Sequence, residues 1–176
     1  MQNSKSVIAT PTVKRRLISM VYEAFLFISV EALAMFLYLF LTQNLHSPLI
    51  EHGRNAVFFL VGALYFIHAW GGSGHTLAMK TWRIKVVKLG CKTVPHRAAA
   101  VRYLMAWGWF LPAIVACYAF GWRSAGQVSA AVAVGIAAWA ATALLDKDRQ
   151  FLHDRIAGTR LISLPKPEKK VKAAKV

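Results

Sequence analysis

Negative charge is scarce in this 176-residue chain: seven Asp and Glu stand against 22 Lys and Arg. Charged residues of both signs make up 16%, and hydrophobic residues 57%. That balance excludes an ordinary soluble globular domain. Cysteine is almost absent, with only Cys91 and Cys117, which excludes a disulfide framework and leaves too few thiols for a metal site. Catalytic motifs are missing as well. His68, His75 and His153 do not form an HExxH or similar ligand set. The GGSG stretch at residues 71–74 has no lysine at the spacing of a phosphate loop and follows an apolar segment. Only His68 lies in or beside an apolar segment, so no histidine pair is placed for haem, and the Ser and Cys side chains have no matched base. Neither an enzyme nor a cofactor is expected.

Long apolar segments are what the chain does have. Four stand out, at about residues 17–42, 56–70, 99–120 and 127–145. The first, third and fourth reach or approach the roughly 20 residues a helix needs to cross the hydrocarbon core, and the second does so when extended at both ends. The first is too long for the core of a signal peptide and no small-residue cleavage site follows, so it is read as a permanent span. Both cysteines then fall on opposite sides of the membrane, too far apart to bridge.

The cations are arranged around these segments. Four of the 22 precede the first, seven lie from Lys80 to Arg102, nine follow the fourth, and only Arg54 and Arg123 lie on the other side. The positive-inside rule then places both termini and the middle loop in the cytoplasm. The basic excess therefore reads as orientation and attraction to anionic lipid headgroups. No nucleic-acid-binding signature competes with it.

Finer features follow from local chemistry. Residues 1–13 read as a flexible cytoplasmic tail, residues 14–164 as the transmembrane domain, and the Pro- and Lys-rich residues 165–176 as a second, disordered tail. Residues 43–55, with Pro48 and Gly53 as breakers, and 121–126 read as short outer loops. Pro112 is expected to kink the third span. Ala133, Ala137 and Ala141 recur at i+4 in the fourth span, a spacing suited to close helix contact. Thr76 can cap a short helix over residues 77–81. Residues 82–87 alternate with a period of two, and TRLISL downstream can pair with them, although two strands alone are marginal. Asp148 is expected to cap a short helix over RQFLHDRIA, closed by Gly158. The expected fold class is an all-α membrane protein: a four-transmembrane-helix bundle with short amphipathic cytoplasmic segments and at most a minor two-strand pairing.

Two acids inside the first span need an explanation. A charged carboxylate near the bilayer centre costs roughly 2.5–3.5 kcal/mol on insertion scales. On a helix, Glu23 points the same way as Arg16 within about 20°, but about 10 Å deeper, so the two do not neutralise each other directly. Glu31 lies about 12 Å further in and about 80° around. Each acid has two readings, a helix-to-helix hydrogen-bonding group that stays protonated, or a proton or cation site on a polar path. Arg102, at inner-leaflet depth in the third span, is a candidate partner for Glu23. His68, near the inner end of the second span, reads either as a helix-to-helix hydrogen-bonding group or as a proton shuttle.

RRLISMVYE, GHTLAMKTWRIKVV and DKDRQFLHDRIAGTRLI together resemble the RDD family of small bacterial membrane proteins, named for an arginine and two aspartates. The resemblance runs from about residue 14 to 163. It implies that the arginine is Arg16, that Glu23 stands in place of the first aspartate, and that the second is Asp154; His75 stands where the family often has glutamine. An Arg16–Asp154 pair would dock the FLHDR helix beneath the first span, as a lock or a gate. The family's supposed involvement in transport of unidentified ligands implies a small solute or ion moved with an intramembrane carboxylate. The alternative is a non-catalytic accessory or scaffold protein for another membrane complex. Either places the chain in a bacterial inner membrane. Four spans could hardly enclose a path alone, so a homo-oligomer or another membrane protein is the expected partner.

Overall fold

A computed structural model describes residues 9–43 and 47–165. Most of the two expected tails lies outside the described residues. Helix α1 runs Val13–Leu41, beginning where the Thr12 hydroxyl accepts the Arg15 N–H at 3.3 Å. Helix α2 runs Pro48–Gly72. Its start corrects the expected loop over 43–55: Ser47 caps the Ile50 N–H at 3.3 Å, and Pro48 occupies the first helical position. A proline there lacks only an N–H that would have no helical partner, so it begins the helix instead of breaking it. Gly53 is likewise helical. A Cβ on it would collide with the Tyr38 hydroxyl, which donates to Ile50 O at 2.9 Å and ties the far ends of α1 and α2 together.

After α2 the chain forms α3 (Leu77–Thr81) and β1 (Ile84–Val87). Thr76 caps α3 as expected, accepting the Met79 N–H. Helix α4 (His96–Ala106) then passes through a 3₁₀ turn, Trp107–Trp109, into α5 (Leu111–Ala119). The third span is therefore two helices bent by 41°, a larger interruption than a kink. Pro112 lies in the first turn of α5; in an unbroken helix it would have no N–H for the Gly108 carbonyl and its ring would crowd that carbonyl. Gly108 is needed for a second reason: a Cβ there would collide with the Trp139 ring of the next helix. That helix, α6, spans Ala125–Leu145 and opens on a capping box of Ser124 and Gln127.

The chain ends in α7 (Leu152–Ile156) and β2 (Arg160–Ser163). Asp148 does not cap α7. The N-cap is Phe151 without a side-chain bond, and Asp146 Oδ2 instead accepts the Asp148 and Gln150 N–H groups at 3.0 and 2.9 Å. Asp148 lies too far ahead of so short a helix, while Asp146 closes the turn that leaves α6. Gly158 follows α7 at φ +65°, the left-handed geometry expected of it.

Strands β1 and β2 pair antiparallel, with Ile84 opposite Ser163 and Val87 opposite Arg160. This ribbon survives because Ile84, Val86 and Leu161 are buried with Trp70, Ala98, Ala99 and Tyr103. Arg15 also stitches α1 to it, through Nε to Trp82 O at 2.8 Å and Nη1 to Ser163 Oγ at 2.6 Å.

Three helices, α1, α2 continued through α3, and α6, are long and apolar enough to cross a membrane, and the bent α4–α5 pair makes a fourth. Side-chain placement agrees with an all-α membrane bundle. Along α1 the buried residues are Arg16, Ser19, Glu23 and Glu31, whereas Phe25, Leu33 and Phe40 are exposed. An inside-out pattern of this kind suits a lipid surround, where apolar side chains face outward and polar ones seek partners within the bundle.

Candidate functional site

Four of the expected site residues, Arg16, Glu23, Arg102 and Asp154, converge on one end of the bundle, beneath α1, α2 and α4. This is the basic end, where the ribbon and α7 close the structure. Arg16 enters it from the first turns of α1 and is 2% exposed. Its Nη2 donates to Arg149 O at 2.5 Å and its guanidinium lies 4.3 Å over the Phe151 ring. Arg102, from α4, forms an ion pair with the fully buried Asp154 of α7 and stacks 4.7 Å over Trp70. Thr159 links both members, within 3.4 Å of Arg102 Nη1 and donating to the Asp154 main-chain oxygen at 3.3 Å.

This arrangement corrects two expectations. Asp154 pairs with Arg102 and not with Arg16, and Arg102 is therefore not the partner of Glu23. Both changes follow from α7 packing against α4. That contact brings Asp154 to the arginine of the third span, while the first-span arginine caps the chain at Arg149. Arg16 still holds the α7 region beneath α1, but through a carbonyl and an aromatic face.

Glu23 finds hydroxyls instead of a cation. Tyr65 Oη of α2 donates to Oε1 at 2.5 Å, and Thr76 Oγ1 donates to Oε2. The same Thr76 oxygen caps α3, so one carboxylate joins α1, α2 and the start of α3. Both its oxygens are engaged, which lets a buried carboxyl persist without an adjacent charge. Glu31, 7% exposed, differs: neither of its oxygens has a partner among the described residues. His68 is exposed on α2 and makes no hydrogen bond among the described residues. Its side chain takes no part in the cluster among the described residues.

The histidine that does belong here is His153, which the sequence reading passed over except as a metal ligand. It is buried in a cage of Trp139, Phe151 and Trp109. Trp139 Nε1 donates to His153 Nδ1 at 3.1 Å, so that nitrogen is an acceptor, and Nε2 faces Asp154 Oδ2 at 3.5 Å. Burial above all, then the nearby Arg102 and Arg16 charges, push its pKa well below the usual value near 6.5. His153 is accordingly neutral. Gln150 was also missed. It is 1% exposed, and its Oε1 accepts the Leu161 N–H at 2.9 Å, an anchor between α7 and β2. The only signal for either residue is its place inside the short apolar-edged RQFLHD segment.

Above this cluster lies a cavity of about 500 Å³. Arg16, Ser19, Glu23, Thr76, Arg102 and His153 form its polar end. Mostly apolar side chains form the remainder: Phe27, Phe58, Ile114 and Val132 from α1, α2, α5 and α6, and others from α3, α4, the 3₁₀ turn and the ribbon. Its size falls in the range typical of small-molecule sites. Among the described residues no group of three or more His, Cys, Asp or Glu is placed to hold a metal ion.

A family model described as RDD family matches residues 10–158, and the chain belongs to that family. No curated protein and no solved structure matches it.

Proposed function

We propose that this RDD family membrane protein moves a small solute or ion across a bacterial inner membrane, using the cavity at the basic end as its binding site. The observation that carries this reading is the cavity itself, a space of about 500 Å³ between the helices with Arg16, Glu23 and Arg102 on its wall. Ionisable groups inside a membrane face such spaces when they serve a substrate path. The distribution of 20 cations against two supports a cytoplasmic basic end, with both termini inside. In that orientation the site lies near the cytoplasmic surface, and anionic headgroups flank it.

Glu23 supplies a means of coupling. As a carboxylate it accepts from both Tyr65 and Thr76. A proton on one oxygen turns that acceptor into a donor and disrupts the pair of bonds that joins α1 to α2 and α3. The Arg102–Asp154 pair, by contrast, organises the cytoplasmic mouth. No chemical transformation is assigned to these residues, and the chain is read as non-catalytic. Because one bundle of four spans offers little room for a continuous path, the transporting unit is proposed to be a homo-oligomer or a complex with another membrane protein.

Flux into proteoliposomes is expected to depend on pH and to fall with Glu23→Gln. Folded variant with unchanged flux would remove Glu23 from the mechanism.

An accessory or scaffold role is the second reading, supported by the exposure of Ala133, Ala137 and Ala141 along one side of α6. It predicts a membrane partner that co-purifies in mild detergent and is lost on Ala137→Leu while the fold survives. Co-purification unaffected by that substitution counts against it.

A further inference from the structure

The cavity has a chemical direction. Arg16 and Phe27, both on its wall, lie 11 residues apart on α1, so the space extends about 16 Å along the helix axis. At the basic end stand two guanidinium groups. Toward the other end the wall is made of Phe58, Ile114 and Val132.

Hydrogen-bonding capacity at the basic end is also one-sided. Among the described residues on this wall, the buried side-chain atoms without partners are Arg16 Nε and Nη1, Arg102 Nε, Trp70 Nε1 and Trp109 Nε1. Every one is a donor. The carboxylate and imidazole acceptors on the wall are already engaged, Glu23 by two hydroxyls and His153 Nδ1 by Trp139; off the wall, Asp154 Oδ2 has no hydrogen-bond partner among the described residues and lies 3.5 Å from His153 Nε2. Charge points the same way. Arg102 is matched by Asp154, His153 is neutral, and Arg16 has a carbonyl and an aromatic ring but no carboxylate in contact. Arg16 and Arg102 are 98% and 95% buried by exposures of 2% and 5%. Buried guanidinium groups with unused N–H donors are strong hydrogen-bonding partners for carboxylate or phosphate oxygens.

We propose that the cavity binds an amphipathic anion, with a carboxylate or phosphate head at Arg16 and Arg102 and an apolar tail running along Phe27 toward Phe58, Ile114 and Val132. This rests on the cavity being the ligand site of the transport reading and names the ligand's class. The head enters from the basic end, where the donors are, and the tail occupies the hydrocarbon depth of the bundle. A free metal cation is disfavoured at this place, because the nearest carboxylates are already spent on hydroxyls and on Arg102. The same head-and-tail chemistry belongs to single-chain anions in solution and to anionic phospholipids in the bilayer.

Tryptophan quenching tests it, since Trp70, Trp107 and Trp109 all line the space. Full-length protein in phosphatidylcholine nanodiscs is titrated with bromododecanoate, bromododecyl phosphate and the neutral bromododecanol. Both anions are expected to quench saturably and to bind on the order of ten- to a hundredfold more tightly than the alcohol, the range of one charge-assisted hydrogen bond. Arg16→Gln is expected to erase that preference. Val132→Phe, which leaves every charge in place, is expected to weaken both anions about tenfold or more by occupying the tail path. Competition by anionic phospholipid added to the nanodisc identifies the bilayer as the source, whereas anion binding indifferent to that lipid identifies a soluble single-chain ligand. Equal quenching by alcohol and anions overturns the proposal, as does equal competition by inorganic phosphate alone, which would show that no tail is needed. If Arg16→Gln does not fold, the anion-to-alcohol ratio and Val132→Phe still decide. Flux of another solute without anion binding rejects this inference and leaves the transport reading, while anion binding without flux does the reverse.

Discussion

The two acids of α1 sit two helical turns apart on one helix, and both are buried, yet they have opposite surroundings. Glu23 has a hydroxyl on each oxygen and lies at the edge of a cavity. Glu31 has no partner for either oxygen among the described residues. The difference arises from what faces α1 at each depth. At the basic end α2 and α3 present Tyr65 and Thr76, and α4 and α7 add a charge network. Farther along, the neighbours of α1 are largely aromatic, with Phe27 packed against Phe58, Tyr65 and Phe66. A buried acid therefore serves as a junction in one place and as an unpaired liability in the other.

The sharpest way to break this contrast is to strip the basic end of its ion pair. Asp154→Ala is expected to cost about 3–5 kcal/mol, because it leaves Arg102 buried without a counter-charge. Arg102→Leu combined with Asp154→Leu should recover most of that loss, as paired removal of buried charges generally does. Reversible unfolding of the reconstituted protein would measure both; a double variant as unstable as the single one would show that the pair does more than neutralise itself.

A smaller effect is expected at the junction. Thr76→Val removes one donor to Glu23 and the cap of α3 together, for a cost of about 2 kcal/mol. Glu31→Leu should act in the opposite direction, gaining about 1–3 kcal/mol by replacing an unsatisfied buried carboxyl. Parallel melting curves check the two signs. Destabilisation by Glu31→Leu would mean that Glu31 has a partner in the working assembly, and the contrast between the acids would fail.

The smallest effect concerns pH. Unfolded His153 takes up a proton near pH 6.5, whereas folded His153, its pKa lowered by burial and two arginines, resists protonation until lower pH. Its contribution to stability is therefore full above about pH 6.5 and is lost as pH falls toward the folded value, at no more than about 1.4 kcal/mol per pH unit. His153→Asn, which keeps an acceptor for Trp139, should flatten that part of the profile. A slope unchanged between about pH 7 and about pH 5 would assign the acid sensitivity to other groups.

The elements were largely legible in the sequence because they rest on local rules. Apolar length marked the spans, Thr76 marked α3, Gly158 marked the end of α7, and the period of two after Trp82 marked the strand that pairs with Arg160–Ser163. Partner choice was not legible. Helical geometry places Arg16 and Glu23 on one face, but nothing local states that α7 docks on α4, which is what gives Asp154 to Arg102 and leaves Glu23 to hydroxyls. Tyr65 and Thr76 carried no signal as acid partners, since tyrosine near a membrane surface and threonine before a helix have ordinary explanations. The break at Trp107–Trp109 was only half visible: Pro112 announced a disturbance, but its extent depends on the Gly108–Trp139 contact between two distant segments.

The central claim is that the cavity at the basic end is where an amphipathic anion sits as it is transported. Uptake of bromododecyl phosphate into proteoliposomes by the unmodified protein and by Val132→Phe tests it most directly, with melting temperature measured alongside. Uptake by the unmodified protein, lost in a variant that melts as before, is the predicted result. Equal uptake by both, or no uptake by either, would contradict the claim.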